Sequence, residues 1–154
     1  LKRKSFHLSL PQDIRLYFNE ELFFYKLPAG DYKEAIQYMC DELIKRGYVS
    51  ADFYEKTIFR EELSSTALAH LVAIPHPVEA TANKTIIAIT ILEKPVKWGT
   101  SQAQLIFLMA IRKDDTRYLN NFFDITVRFV DHASIVHRLM KADNYEEFMT
   151  LLLQ

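Results

Sequence analysis

Two almost unbroken apolar runs, "KTIIAITIL" at residues 84–92 and "AQLIFLMAI" at 103–111, constrain the fold more than any other feature of this chain. Both have strand length, and the first is rich in β-branched residues that suit a pleated surface. A strand with one wet face alternates apolar and polar side chains, whereas a strand without a polar face must be covered on both sides. The two runs therefore predict the central strands of a sheet with helices above and below it.

The flanking segments supply those layers. "ELFFYKL", residues 21–27, reads as a strand stopped by Pro28 and Gly30. A helix opens at Asp31 and gathers Ala35, Ile36, Met39, Cys40, Leu43 and Ile44 on one face. Lys45, Arg46 and Gly47 close it. Ser50 is a suitable N-cap for a second helix over about 51–61, with Tyr54 paired to Ile58 and Phe59 to Leu63. Leu71 to Ile74 forms a short apolar strand, and Lys94-Pro95 with Trp98-Gly99 reads as a connection between the two long runs. Three helices follow: one over about 116–130, a short one carrying Ile135 and Leu139, and a last one opened by an Asn144/Glu147 capping box. The expected fold class is α/β, a mixed β-sheet sandwiched between helices on both faces.

Residues 1–20 lack a clean period and read as a linker or lead-in from an upstream domain, with a short helix at Asp13 to Phe18, while 21–154 read as a single domain. A chain that begins with Leu reads as a piece of a longer protein. Nineteen basic and twenty acidic side chains leave a net charge of −1, and the one basic cluster, Lys2-Arg3-Lys4, lies at the start. That balance points away from direct nucleic-acid contact and from membrane insertion. No run approaches the roughly 20 apolar residues of a membrane span, and no signal-peptide pattern opens the chain. Cys40 has no partner for an internal disulfide and falls on a buried helix face, so a reducing, cytoplasmic setting is expected.

The chemistry gathers in "SSTALAHLVAIPHP", residues 64–77. His76 lies between Pro75 and Pro77 at the end of a strand, on backbone whose torsions are restricted. Histidine offers a neutral nitrogen nucleophile near pH 7, and rigid surroundings would set the direction of its ring. Upstream, Ser64, Ser65 and Thr66 bring hydroxyls and backbone N–H groups, and Arg60 brings a guanidinium fork suited to phosphoryl oxygens. Together these residues suggest phosphoryl transfer through a phosphohistidine, in which positioning and charge neutralisation matter more than acid or base chemistry. A zinc site shared by His70 and His76 is not expected, because six residues of strand span about 20 Å. His7, His132 and His137 receive no role. Phe122, Phe123 and Phe129 read as core, and Arg112 to Arg117 as a solvated loop.

These residues carry a resemblance. "REELSSTALAHLVAIPH", residues 60–76, resembles the signature of the enzyme IIA domains of the mannitol and fructose class in the bacterial phosphoenolpyruvate-dependent sugar phosphotransferase system. "DYKEAIQYMCDELIKRGYVSADFYEKTIFREE", residues 31–62, is similar to the paired helices of that family. The resemblance implies that His76 receives a phosphoryl group from the carrier protein HPr and can pass it to an enzyme IIB partner. Arg60 would lie near the phosphoryl group, with Ser64, Ser65 and Thr66 as the polar loop facing it. No metal or nucleotide cofactor is implied inside the domain, and phosphoenolpyruvate is the remote donor.

Two departures stand out. Ala69-His70-Leu71 occupies a segment where the family usually carries glycines. Mannitol-type members also place a second histidine after the strand that here ends at Ile111, but "RKDDTRYL" has none and Thr116 is its nearest match. Either His70 takes that supporting role, or rapid relay is not the task of the domain. The same fold also ends sugar-responsive transcription activators and antiterminators, behind regulatory domains of the same chain. Three readings follow: a phosphorylated regulatory domain, a transporter subunit, and a docking module without chemistry.

Overall fold

The structure is a computed structural model that describes residues 14–154, with the backbone alone described at 116–121. Four strands form one sheet: β1 (Phe23–Leu27), β2 (Val72–Ala73), β3 (Ile86–Trp98) and β4 (Ser101–Ala110). Their spatial order is β1-β3-β4-β2, with β3 and β4 antiparallel and the outer pairs parallel. Among the described residues, helices α1 (Tyr32–Lys45), α2 (Phe53–Leu63), α3 (Leu119–Asp131), α4 (Ala133–Met140) and α5 (Tyr145–Leu152) cover it. The mixed sheet between two helical layers matches the expected fold class.

The two long runs are the centre of the sheet, and their side chains divide between its faces. Ile87, Ile89 and Ile91 of β3 join Leu105, Phe107 and Met109 of β4 in a core closed by residues of α3, α4 and α5. Ile86, Ala88 and Leu92 join Ala103, Ile106 and Leu108 in a second core, closed by residues of α1 and α2. Successive strand residues point to opposite faces, so strands in the middle of a three-layer stack must be apolar on both.

β3 is longer than its apolar run. Lys94-Pro95 lies inside the strand, and the expected connection contracts to the turn between Trp98 and Ser101. Pairing with β4 is irregular between Ile91 and Val96, and Glu93, Lys94 and Pro95 are exposed there. A proline lacks the N–H that a central strand must donate, so the ladder opens around it and resumes at Val96. Trp98, read as part of a loop, is fully buried in the second core.

The helix ends follow their local chemistry. Asp31 accepts from the Glu34 N–H at 2.8 Å, and Asn144 accepts from the Glu147 N–H at 2.8 Å, as the capping box predicts. Gly47, at φ 75°, lets the Tyr48 N–H turn back to the Leu43 carbonyl after α1. Ser50 does not cap α2: its hydroxyl donates to Asp52 Oδ1 at 2.6 Å, and the helix begins at Phe53 without a side-chain cap. Phe59 and Leu63 share a face of α2, but that face is open to solvent, at 61% and 64% exposure.

The packed unit reaches back into the stretch read as lead-in. Ile14 and Phe18 are buried in the first core, and the Tyr17 carbonyl accepts from the Ile87 N–H at 2.7 Å. The readings at Lys2-Arg3-Lys4, His7 and Asp13 lie outside the described residues. Cys40 is buried in the second core, and that burial pushes its thiol up to about 12. Among the described residues, no helix is long and apolar enough to cross a membrane.

Candidate functional site

The site is built on the chain between α2 and the sheet. Residues 66–68 fold back on 72–74: the Leu68 N–H donates to the Val72 carbonyl and the Ile74 N–H to the Thr66 carbonyl. At the tip of this hairpin, His70 and Leu71 adopt φ of 62° and 68°. Glycine is favoured in that left-handed region because it has no Cβ, and a bulky residue there costs about 1–2 kcal/mol. The torsions explain why glycines suit this segment. Here it is held without them, because the Leu71 carbonyl accepts from both Gln104 and Leu105 of β4.

β2 is shorter than expected, only Val72 and Ala73, yet it aims the next residues firmly. The Pro75 carbonyl accepts from the Met109 N–H at 3.0 Å, which continues the anchorage to β4 past the last paired residue. His76 follows, half-buried, and lines a cleft of about 280 Å³ together with Phe53, Val78, Met109, Ile111 and Phe123 among others. Phe123, read as core, thus turns partly toward this cleft, while Phe122 and Phe129 are buried as expected.

The imidazole is held in one tautomer. His76 Nδ1 lies 2.7 Å from the Ile74 carbonyl oxygen, which can only accept, so Nδ1 carries the proton and donates it. Nε2 is left with its lone pair. Burial lowers the pKa of His76 below its ordinary 6.5; the Ile74 carbonyl and Glu61 oppose this, and the positive charge of Arg60 adds to it. The ring is therefore a neutral nucleophile at physiological pH.

A pH prediction follows from that direction. Because the unfolded chain takes up the proton more readily, stability should be level above pH 6.5 and decline as pH falls from 6.5 toward the lower pKa of the folded state. A proton NMR titration of the His76 ring should place its midpoint below 6.5; a midpoint at or above that value would contradict the effect of burial.

Arg60, in the last turn of α2, donates from Nη1 to the Ser64 carbonyl at 2.5 Å, where a cation also complements the negative helix end. Ser64 and Ser65 are exposed, and Ser65 Oγ accepts from the Ala67 N–H at 3.1 Å. Thr66 differs from its expected role. Its N–H donates to Glu61 Oε2 at 2.6 Å and its hydroxyl to Glu61 Oε1 at 2.5 Å, so neither donor is available to a phosphoryl oxygen.

His70 and His76 face different clefts. His70 Nε2 donates to the Val130 carbonyl at 3.0 Å, and its ring lines a cleft with Leu71, Ala133, Val136 and His137. The structure does not bring it to His76 as a supporting group. The charged segment after β4 is a 3₁₀ turn, Lys113–Tyr118, tied down where Thr85 donates to Asp115 Oδ2 at 2.5 Å. The side chain of Thr116 lies outside the described residues.

Sequence reasoning assigned no role at the site to Glu61. The carboxylate is 7% exposed and faces inward.

A family model described as "Phosphoenolpyruvate-dependent sugar phosphotransferase system, EIIA 2" matches residues 16–154. The probable licABCH operon regulator of Bacillus subtilis (strain 168) is 26% identical over 131 residues, 85% of this chain and 20% of the regulator. The chain therefore spans about a fifth of that relative. The mannitol-specific phosphotransferase enzyme IIA component of Halalkalibacterium halodurans is 26% identical over 130 residues, 82% of this chain and 88% of that protein. Among solved structures, the complex of enzyme IIAMTL and phosphorylated enzyme IIBMTL from Escherichia coli matches with a TM-score of 0.75 at 24% identity, covering 88% of this chain and 97% of its counterpart.

Proposed function

We propose, for a chain that belongs to the EIIA 2 family of the phosphoenolpyruvate-dependent sugar phosphotransferase system, that His76 accepts a phosphoryl group at Nε2 and carries it as a regulatory mark. The observation that carries this reading is the 2.7 Å bond from Nδ1–H to the Ile74 carbonyl, which presents an unprotonated Nε2 on a fixed ring. In the step, the Nε2–P bond forms as the donor's bond to phosphorus breaks, and the Nδ1 proton stays on His76. HPr is the donor this reading names. Nearby positive charge favours the incoming phosphoryl oxygens, and Arg60 supplies it.

The regulatory setting draws support from the similarity to the licABCH operon regulator, in which a matching segment forms a fifth of a longer chain. There the added charge on His76 would alter contacts with neighbouring domains. A second reading, relay to an enzyme IIB partner, draws support from the 26% identity to the mannitol component and from the neighbour solved with phosphorylated enzyme IIBMTL.

Incubation with enzyme I, HPr, phosphoenolpyruvate and magnesium, followed by intact-mass analysis, should show one acid-labile phosphoryl group. No gain would overturn the HPr-fed reading and favour a IIB-dependent donor or the docking module. A label that persists when IIB is added favours the regulatory role; rapid loss favours relay. In the same assay, Arg60→Ala should slow phosphorylation by about 100- to 1,000-fold, with Arg60→Lys intermediate because it keeps the charge but not the fork. Equal rates for Arg60→Ala and the native chain would remove Arg60 from the site.

A further inference from the structure

Glu61 is a carboxylate buried without a basic side chain bonded to it among the described residues, and both of its oxygens are used on one residue. Oε2 takes the Thr66 N–H and Oε1 takes the Thr66 hydroxyl. Burying a carboxylate is costly unless it is well hydrogen-bonded, and bonds to an ionised acceptor are the strong ones. The arrangement therefore fixes Thr66 tightly relative to the last turn of α2.

What Thr66 does next gives the clamp its consequence. Its carbonyl accepts from the Ile74 N–H at 3.2 Å, and the Ile74 carbonyl in turn accepts from His76 Nδ1 at 2.7 Å. A continuous hydrogen-bonded path thus runs from Glu61 through Thr66 and Ile74 to the imidazole. The Thr66–Ile74 link joins the two arms of the hairpin, the Glu61–Thr66 bonds tie the first arm to the last turn of α2, and the Ile74–His76 bond is local, two residues apart. We propose that Glu61 is a positioning residue, which through Thr66 and Ile74 holds His76 in its Nδ1–H tautomer and so keeps Nε2 as the nucleophile.

The inference rests on His76 being the phosphoryl acceptor, but its main test does not need a phosphoryl donor. In the full 154-residue chain labelled with ¹⁵N-histidine, ring nitrogen shifts report the tautomer directly. At a pH where the ring is neutral, the native chain should show a protonated Nδ1 and a bare Nε2. Glu61→Ala should shift both signals toward the average of mixed tautomers and slow phosphorylation by about tenfold to a hundredfold. Glu61→Gln should keep the native shifts, because its amide can accept the Thr66 N–H and donate to the Thr66 hydroxyl oxygen.

Native-like shifts in a folded Glu61→Ala chain would overturn the proposal, and so would a Gln variant as disturbed as Ala, since charge rather than positioning would then be at work. If Glu61→Ala does not fold, Thr66→Val carries the test: it deletes one of the two bonds and should move the shifts a smaller step in the same direction. Unchanged shifts in that variant would also overturn the proposal. A chain with the expected shifts that never takes a phosphoryl group would instead remove the functional reading and leave the positioning role standing.

Discussion

His76→Ala should reduce phosphoryl incorporation from one group per chain to background, while His70→Ala should leave the mass gain in place. The contrast is the informative part. His70 is exposed and lies in the same hairpin, but its Nε2–H is spent on the Val130 carbonyl at the end of α3, and its ring borders another cleft. Only His76 combines a carbonyl that takes its Nδ1 proton with flanking prolines and a half-buried position. Circular dichroism should show both variants folded, since neither ring fills a core. Incorporation into the His76→Ala chain at the native level would transfer the acceptor role elsewhere.

The largest expected stability effect lies away from the site, at Phe107. It is fully buried in the middle of β4, stacked against Phe129 at 5.6 Å between centroids and edge-on to Phe122 at 5.4 Å. Phe107→Ala should cost about 3–5 kcal/mol, the sum of lost burial and the cavity left behind. A denaturant titration should show the midpoint falling sharply at nearly constant slope. A loss below about 1 kcal/mol would mean that α3 collapses onto the sheet to fill the space. The same stack is what seats α3, and Phe123 on the next position of that helix borders the His76 cleft.

The layers of the fold were legible because a strand covered on both sides cannot hide its composition. Ile86 to Leu92 and Leu105 to Ile111 announce themselves, and Asp31, Gly47 and Asn144 mark helix ends by local chemistry alone. The course of β3 through Pro95 was not legible, because a bulge lets a proline sit where propensity argues against it. His76 was legible from its prolines and its surroundings. The assignment of Thr66 was not, since a hydroxyl in a polar loop reads the same whether it faces a ligand or an inward-turned carboxylate. Glu61 was hidden for the same reason: burial of a charged residue is a tertiary fact. The left-handed torsions at His70 and Leu71 were likewise not legible, since the Leu71 carbonyl is bonded to β4 and the His70 ring to the Val130 carbonyl, both tertiary contacts.

The depth of Cys40 has a practical consequence for anyone tracking the domain in solution. Burial pushes its thiol up to about 12, far from the pH at which a thiolate forms readily, and the side chain is enclosed in the core between the helices and the sheet. Toward maleimides and other thiol reagents the native chain should behave as if it contained no cysteine. A cysteine introduced on the open face of α2, at Phe59 or Leu63, then takes a fluorophore at one defined place without removing the natural thiol. At Phe59, which shares a cleft with Pro77 and Val78, dye emission would report in real time what settles on the surface beside His76.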